Sequence, residues 1–501
     1  MLRTIFRFTC LHGMHPSGSH ADRGVYMKNP IHKLQKVEKM AYFKLQKVEK
    51  NNIFICKKFT DRCGNGTVML KRKILDHLIR WKKGKNRSAL LIKGARQVGK
   101  TFIIREFGRS NYKNFIEVNF EKQPSVKKAF DGDLDVRTII LKLSAMGLGP
   151  FEEGNTLVFF DEIQSCPQAR TAIKFLVEDG RFDYIESGSL LGINYKEVSS
   201  YPVGFEEQLN MYPLDFEEFL WAKGISSEVI DELHEAYRHI MPVDPFLHEQ
   251  MMKAYHEYLI VGGMPAVVKE FIENDDFAET LRLQKSILNS YRDDISKYSG
   301  GEKIMVKKMF DAIPEQLNKK NKRFILSDLE KGTTAKKYEN ASMWLTEAGI
   351  AYNCFNITSL ELPLSFNEKR NLYKLYMLDT GLLCAHGMTA VQPLLLSGDI
   401  SVNEGGITEN AVAVALAKKD TPLYYYDKNS RCELDFVLTE SGGVSIIEVK
   451  SGKKHKRHAS LDRARRDTQW KPHRLIVLSK YNVGTGTDGV IYYPLYMTMF
   501  L

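Results

Sequence analysis

The chain has 501 residues, 43% of them hydrophobic and 27% charged, which is room for about three domains of ordinary globular composition and excludes a mainly disordered chain. No apolar run approaches the roughly 20 residues of a membrane-spanning helix, and Arg7, His12 and His15 interrupt the apolar residues at the start, unlike a secretion signal. The net charge of +11 is uneven: residues 1–68 hold 13 Lys+Arg and 4 Asp+Glu, which leaves 59 and 57 for the other residues, so the overall basic balance is no argument for nucleic-acid binding by the rest of the chain.

The seven cysteines, at 10, 56, 63, 166, 354, 384 and 432, are odd in number and widely spaced, with no C-x-x-C. This pattern argues against a disulfide framework or a zinc site and fits a reducing cytoplasm.

Taken in chain order, residues 1–68 stand apart. The segment KLQKVEK occurs twice, at Lys33–Lys39 and Lys44–Lys50, and two copies cannot build a solenoid. The stretch reads as a basic solvated tail, or as sequence upstream of a natural start at Met69, and its removal is expected to leave the rest folded.

From Met69 the pattern becomes that of a folded domain. Ile74, Leu78 and Ile79 mark a helical face. Ala89–Ile92 reads as a buried strand, followed by a helix through Phe107. Asn114–Phe120, Thr156–Phe160 and Phe182–Ile185 read as further strands with helices between them, which predicts a parallel sheet covered on both faces. Residues 205–300 read mainly as helices. Lys303 to Ile357 reads as two or three short helices and a strand from Ala351, an order similar to a winged helix-turn-helix. In 366–501, Thr408 is a candidate helix N-cap with Glu409 in the first turn. Leu423–Tyr426, Cys432–Leu438, Val444–Val449 and Arg474–Leu478 read as strands.

Gly94-Ala95-Arg96-Gln97-Val98-Gly99-Lys100-Thr101 matches G-x-x-x-x-G-K-[ST] without a mismatch. Such glycines let backbone N–H groups turn inward around phosphates, and the helix after them presents its positive end to the same anion. Lys100 is expected to reach the β- and γ-phosphates of ATP, and Thr101 to ligand Mg²⁺. Leu157-Val158-Phe159-Phe160-Asp161-Glu162 is an apolar strand that ends in two carboxylates. Asp161 sits where an acid would hold the metal, and Glu162 where a base would polarise the attacking water. After the fourth strand, Ser187-Gly188-Ser189 offers a hydroxyl, assigned here to Ser189, that could sense the γ-phosphate; a serine-rich turn explains it equally well.

The motifs GARQVGKT, FFDEIQSCP, IESGSLLG and YPLDFEEFL, then YLIVGGMPAVV, YRDDISKY, YMLDTGLL, ELDFVL and IIEVKSG, resemble those of prokaryotic AAA-type ATPases with a C-terminal domain of unknown function. The resemblance runs from about Met69 to the C-terminus. It implies an α/β fold: a P-loop NTPase parallel sheet with a helical lid, a winged-helix-like segment, and a mixed α/β C-terminal domain similar to restriction endonucleases. The expected divisions are 1–68 (tail), 69–225 (ATPase core), 226–302 (lid), 303–365 (winged-helix-like) and 366–501 (nuclease-like). One departure concerns Gly204-Phe205, where many members have Gly-Arg; an arginine finger cannot be carried over to that place. Arg170, Arg181 and Arg292 are the substitutes considered.

In the C-terminal part, strand alternation puts Glu433 and Asp435 on one face, and Glu448 and Lys450 on one face. A tight hairpin through Ser441-Gly442-Gly443 would bring the pairs together, and Glu409 could join them from the preceding helix. The arrangement resembles the D…E-x-K nuclease pattern, in which carboxylates hold Mg²⁺ and the lysine positions a water. Charged residues on a solvated hairpin explain it too, and fold does not establish activity. Basic residues at Lys453–Arg457 and Arg463–Arg466 would suit a phosphate backbone. The sequence thus predicts an ATP- and Mg²⁺-dependent switch or motor coupled to a DNA- or protein-binding C-terminal domain. It leaves open an ATP-regulated nuclease, a non-hydrolysing adaptor and a homo-oligomer, and expects no membrane partner.

Overall fold

The first strand, β1 (Ala89–Gly94), is ALLIKG, and β3 (Thr156–Asp161) is TLVFFD with every residue buried. Runs apolar on both faces suit the interior of a parallel sheet whose two faces are both covered. In the computed structural model, which describes residues 69–84, 88–189, 202–298, 300–333, 335–387, 404–428, 432–440, 442–452, 456–467 and 470–501, β1 and β3 are joined by β2 (Asn114–Asn119), β4 (Asp183–Ser189) and β5 (Glu206–Asn210) in the order β2-β3-β4-β1-β5, all parallel. The basic stretch 1–68 with its repeat, Tyr201, Arg431, Ser441 and residues 453–455 lie outside the described residues.

Alternation along each strand sends side chains to two different cores. Leu91, Val118, Val158 and Phe160 face α3 (Val136–Ala145) and α4 (Pro167–Asp179), whose Ile139, Leu143, Ile173 and Leu176 close a local core. Leu90, Ile92, Leu157 and Phe159 face the other way, towards α1 (Ile74–Lys83) and α2 (Lys100–Asn111). That second core continues without interruption to Leu501.

Five helices come next: α5 (Phe216–Ala222), α6 (Ser227–His239), α7 (Pro245–Val261), α8 (Pro265–Asn274) and α9 (Phe277–Tyr298). Asp215 caps α5 through a reciprocal capping box with Glu218, and Asp244 caps α7. After them are α10 (Lys303–Asn318), α11 (Ala335–Glu347), β6 (Ala351–Ile357), β7 (Glu368–Met377), α12 (Thr380–Gly387) and α13 (Gly405–Ala417). The chain ends with β8 (Leu423–Asp427), β9 (Glu433–Glu440), β10 (Gly443–Lys450), α14 (Ala459–Arg466), β11 (Arg474–Ser479), β12 (Gly484–Thr485) and β13 (Ile491–Pro494). The strands from β6 on make one mixed sheet in the order β12-β13-β11-β10-β9-β8-β6-β7. Because β6 pairs with β7 and, in parallel, with β8, the strands on either side of residue 365 belong to one sheet.

Several elements differ from the sequence reading. α13 begins at Gly405 with Glu404 at its N-cap, so Thr408 lies inside the helix and donates its backbone N–H to the Glu404 carbonyl at 2.9 Å. Gly406 is helical and lets the helix rest on α10: a Cβ there would lie 2.6 Å from the Leu317 carbonyl oxygen. β5 and β7 are also strands that the sequence pattern does not mark, and both are rich in charged residues. No helix among the described residues is long and apolar enough to cross a membrane.

Candidate functional site

The loop between β1 and α2 is shaped by two left-handed residues, Gln97 (φ 66°) and Gly99 (φ 99°). Gly99 is required by its backbone, which lies in the region that glycine favours; Met211, Pro265 and Arg72 would stand in ordinary contact with a Cβ there, at 3.6–3.7 Å. A Cβ at Gly94 would sit 2.2 Å from the Met211 carbonyl oxygen. The cradle is thus braced from outside. Arg72 donates to the Val98 carbonyl oxygen at 3.0 Å and to that of Tyr212 at 2.6 Å, while its Nε meets Glu218 at 3.2 Å.

Lys100 is buried, and its Nζ donates to the carbonyl oxygens of Gly94 and Ala95 at 2.9 Å each. Burial pulls its pKa down to about 8, against the attraction of Glu162 and Asp161. An ammonium that faces only loop carbonyls, at the start of a helix, fits an incoming polyphosphate. Ala95 and Val98 are buried and contribute backbone to the loop.

Asp161 ends β3 at the heart of this region. Its Oδ1 accepts from the Thr101 hydroxyl at 3.0 Å and from the Ser187 hydroxyl; its Oδ2 accepts from Asn119 Nδ2 at 2.7 Å. Glu162 is next, in left-handed backbone (φ 58°), which turns its side chain off the strand. It accepts from Gln164 Nε2 at 2.5 Å, and burial pushes its carboxyl above the usual range. Thr101 and Asp161 therefore offer adjacent oxygens of the kind Mg²⁺ takes, and Glu162 stands beside them as a partly desolvated base.

Within Ser187-Gly188-Ser189, Ser187 donates its hydroxyl to Asp161; Ser189 ends β4 opposite Gly94, and its side chain lies outside the described residues. Asn119 is marked by no sequence motif, and Ser187 only as part of the Ser187-Gly188-Ser189 segment. Each occupies the carboxyl end of a strand next to β3, where side chains of parallel sheets converge on a ligand, and that placement is the signal that could have found them.

Each of the three arginines considered as fingers is engaged by carboxylates in this structure. Arg170 is buried between Glu186 (3.4 Å) and Glu206 (3.0 Å). Arg181 pairs with Asp179, and Arg292 with Asp311 and His386.

The cradle is also held from the helical side. Arg96 Nη1 pairs with Asp294 at 2.7 Å, and the buried Tyr291 donates its hydroxyl to the Arg96 carbonyl oxygen at 3.0 Å. Both partners lie on α9. Further on, the buried carboxylate of Asp379 accepts from Gly263 N at 2.6 Å and Leu382 N at 2.9 Å, so the GGMP and LDTGLL motifs meet. Gly262 (φ 76°) would place a Cβ 2.2 Å from Asp379.

The C-terminal acidic residues are gathered as well. The β9–β10 register runs as far as Ile447 opposite Phe436, and just beyond it Asp435 accepts from Val449 N at 2.9 Å, next to Glu448. Glu409 comes from α13 and is buried. It accepts from Lys374 at 3.0 Å and Tyr376 at 2.6 Å, and Lys322 meets it at 2.8 Å. Lys374, fully buried on β7, also reaches Glu433 at 3.2 Å and Asp435 at 3.9 Å. Burial would raise the Glu409 carboxyl, but Lys374 and Lys322 outweigh it and hold it at about 2. Asp435 is pushed up to about 7 by burial and by Glu409 and Glu448. Lys450 is paired with Glu448, whose second oxygen is buried without a hydrogen-bond partner. The donor set thus fits a divalent ion only in part. Asp435 and Glu448 are under-compensated, whereas Glu409 is already neutralised by two ammonium groups.

Comparison with known proteins agrees with this layout. An AAA domain model matches residues 86–220, and two models of domains of unknown function, DUF8612 and DUF4143, match residues 252–392 and 404–497. No curated protein matches the chain. Among solved structures, a Walker-type ATPase of Pyrococcus abyssi is 14% identical, with 64% of this chain and 96% of that chain covered at a TM-score of 0.39. The ORC2 protein of Aeropyrum pernix in its ADP form is 14% identical over 69% of this chain and 98% of its own, at a TM-score of 0.28. At these scores neither adds weight to the assignment, which rests on the domain models and the P-loop sheet. The chain is thus an AAA-type P-loop protein with two C-terminal domains of unknown function behind its AAA domain.

Proposed function

We propose that the chain is an ATP-hydrolysing switch whose nucleotide state is passed from the P-loop, through α9, to the C-terminal mixed-sheet domain. The observation that carries this reading is the grip of α9 on Arg96, a residue of the cradle itself, by Asp294 and Tyr291. In this reading the backbone from Gly94 to Gly99 and the ammonium of Lys100 bind the phosphates, and Thr101 and Asp161 hold Mg²⁺. The metal would neutralise charge on the phosphates. Glu162 orients and deprotonates the water, and its buried setting makes it the stronger base. Arg96 would feel the phosphates directly and change its hold on Asp294 as they come and go. The output surface is formed by α10, α11 and β6 in a winged-helix-like order, and by Arg463, Arg465 and Arg466 on α14, and meets DNA or a protein partner.

The test is ATPase activity of the full chain and of Glu162→Gln, each with and without single- and double-stranded DNA. Turnover in the wild type that disappears in Glu162→Gln supports hydrolysis, and stimulation by either DNA identifies the partner class. Equal hydrolysis by both proteins would remove the assignment.

A second reading, a metal-dependent nuclease, has one specific observation in its favour: the orphaned buried oxygen of Glu448 beside Asp435. Cleavage of plasmid DNA that needs Mg²⁺ or Mn²⁺ and is lost in Asp435→Ala would favour it. No cleavage with either ion leaves the C-terminal domain a binding module.

A further inference from the structure

At the β12–β13 end of the C-terminal sheet, one ligand atom each from His458, Asp462 and Asp488 falls within 4.8 Å of the others. His458 is the N-cap residue of α14 and Asp462 lies one turn later, its backbone N–H on the His458 carbonyl oxygen at 3.0 Å. Asp488 comes from a different element, the tight turn between β12 and β13, which is closed by Gly486 N on Val490 O at 2.8 Å and Gly489 N on Gly486 O at 3.0 Å.

The imidazole of His458 is the informative group. Its side chain is only 4% exposed. Nε2 is engaged by the Tyr492 hydroxyl at 2.8 Å. Nδ1 faces Asp462 Oδ1 at 3.2 Å yet is a buried nitrogen with no hydrogen-bond partner. In the tautomer whose Nε2–H donates to Tyr492, Nδ1 presents a bare lone pair to the Asp462 carboxylate, a repulsive contact as it stands. A cation among the three groups removes the repulsion, and the bond from Nε2 to Tyr492 is the outer-shell support that metal-binding histidines commonly have.

We propose that His458, Asp462 and Asp488 bind one divalent transition-metal ion of the zinc, cobalt or manganese class and so fasten the start of α14 to the β12–β13 turn. One imidazole nitrogen and two carboxylate oxygens suit such an ion better than calcium or magnesium, which prefer oxygen alone. Bonds of about 2.0–2.2 Å to a common centre place donor atoms roughly 3–4 Å apart, a small adjustment from the present positions. Asp462 borders a cleft of about 480 Å³ that it shares with Arg463 and Arg466. Charge alone would not draw a cation to that neighbourhood, and the coordinate bond from His458 is what selects it. Three protein ligands leave further positions for water.

The experiment is titration of the chelator-treated full chain, free of nucleotide, with Co²⁺ followed by its visible absorption, and with Zn²⁺ followed by calorimetry and melting temperature. The wild type should take up one equivalent at this site and melt at a higher temperature with Zn²⁺. Asp488→Asn and His458→Asn should each lose that equivalent, and Tyr492→Phe should weaken it by about tenfold. If His458→Asn does not fold, Asp462→Asn and Asp488→Asn, both on partly exposed positions, carry the same comparison. Absence of the equivalent in the wild type, or uptake unchanged in Asp488→Asn, overturns the site and leaves His458 as the partner of a simple ion pair with Asp462.

Discussion

Glu162 and Lys100 stand within one small region but do different things, and their variants should separate. Lys100→Ala removes the ammonium from a buried cradle and is expected to abolish tight ATP binding, measured by calorimetry. Glu162→Gln keeps the shape and leaves Thr101 and Asp161 intact, so ATP binding should persist while phosphate release slows by at least about 100-fold. Asp435 makes a second residue-scale prediction, for stability. Its carboxyl is raised from the ordinary 3.8 to about 7, so the folded chain binds a proton more tightly than the unfolded one. That contribution is fully present below about pH 4 and is lost as pH rises through about 7. Asp435→Asn should therefore flatten this part of the stability profile and lose less stability than the wild type between about pH 5 and 8 in urea melts. A variant whose profile matches the wild type would show that Asp435 does not hold a proton in the fold.

At the scale of elements, α13 is held by ion pairs in an otherwise apolar setting. Glu409→Gln would leave Lys374, fully buried, and Lys322 without their main counter-charge, and removal of one member of a buried pair costs about 3–5 kcal/mol; denaturant unfolding measures it. Gly262→Ala is expected to cost at least about 2 kcal/mol, because it combines a left-handed backbone with a clash against Asp379. The phosphate loop is legible in the sequence because its chemistry is local: eight consecutive residues, then an acid pair at the end of an apolar strand. Arg72, Asp294 and Asp379 are not, since each acts on a partner far along the chain or on a loop carbonyl that no local pattern marks. β5 escapes because EEQLN is a charged edge strand with no buried residue, and β7 because its first half is charged and exposed while its second is buried on both faces. Alternation puts Glu433 with Asp435, and Glu448 with Lys450, on shared strand faces of the β9–β10 hairpin. The lysine that fills the space between them and Glu409 comes from β7, the strand that no sequence pattern marks.

At the scale of the whole molecule, the contacts of α9 with Arg96 make a prediction about coupling. Asp294→Asn should bind ATP but transmit less of it: protection of the C-terminal sheet from hydrogen exchange on adding a non-hydrolysable ATP analogue should be smaller than in the wild type. Equal protection in both would show that the signal does not pass through this pair.

The two cores on either side of the nucleotide-binding sheet differ in reach. The side built with α3 and α4 is complete by Tyr184, whereas the side built with α1 and α2 shares a single apolar interior with helices and strands up to Leu501. A shortened protein that stops after residue 220 would keep the first interior and strip the second, exposing Leu90, Ile92, Leu157 and Phe159 wherever α1 and α2 do not cover them. Exchange of the C-terminal part between relatives is constrained for the same reason: a replacement must supply a matching apolar surface as well as its own binding function.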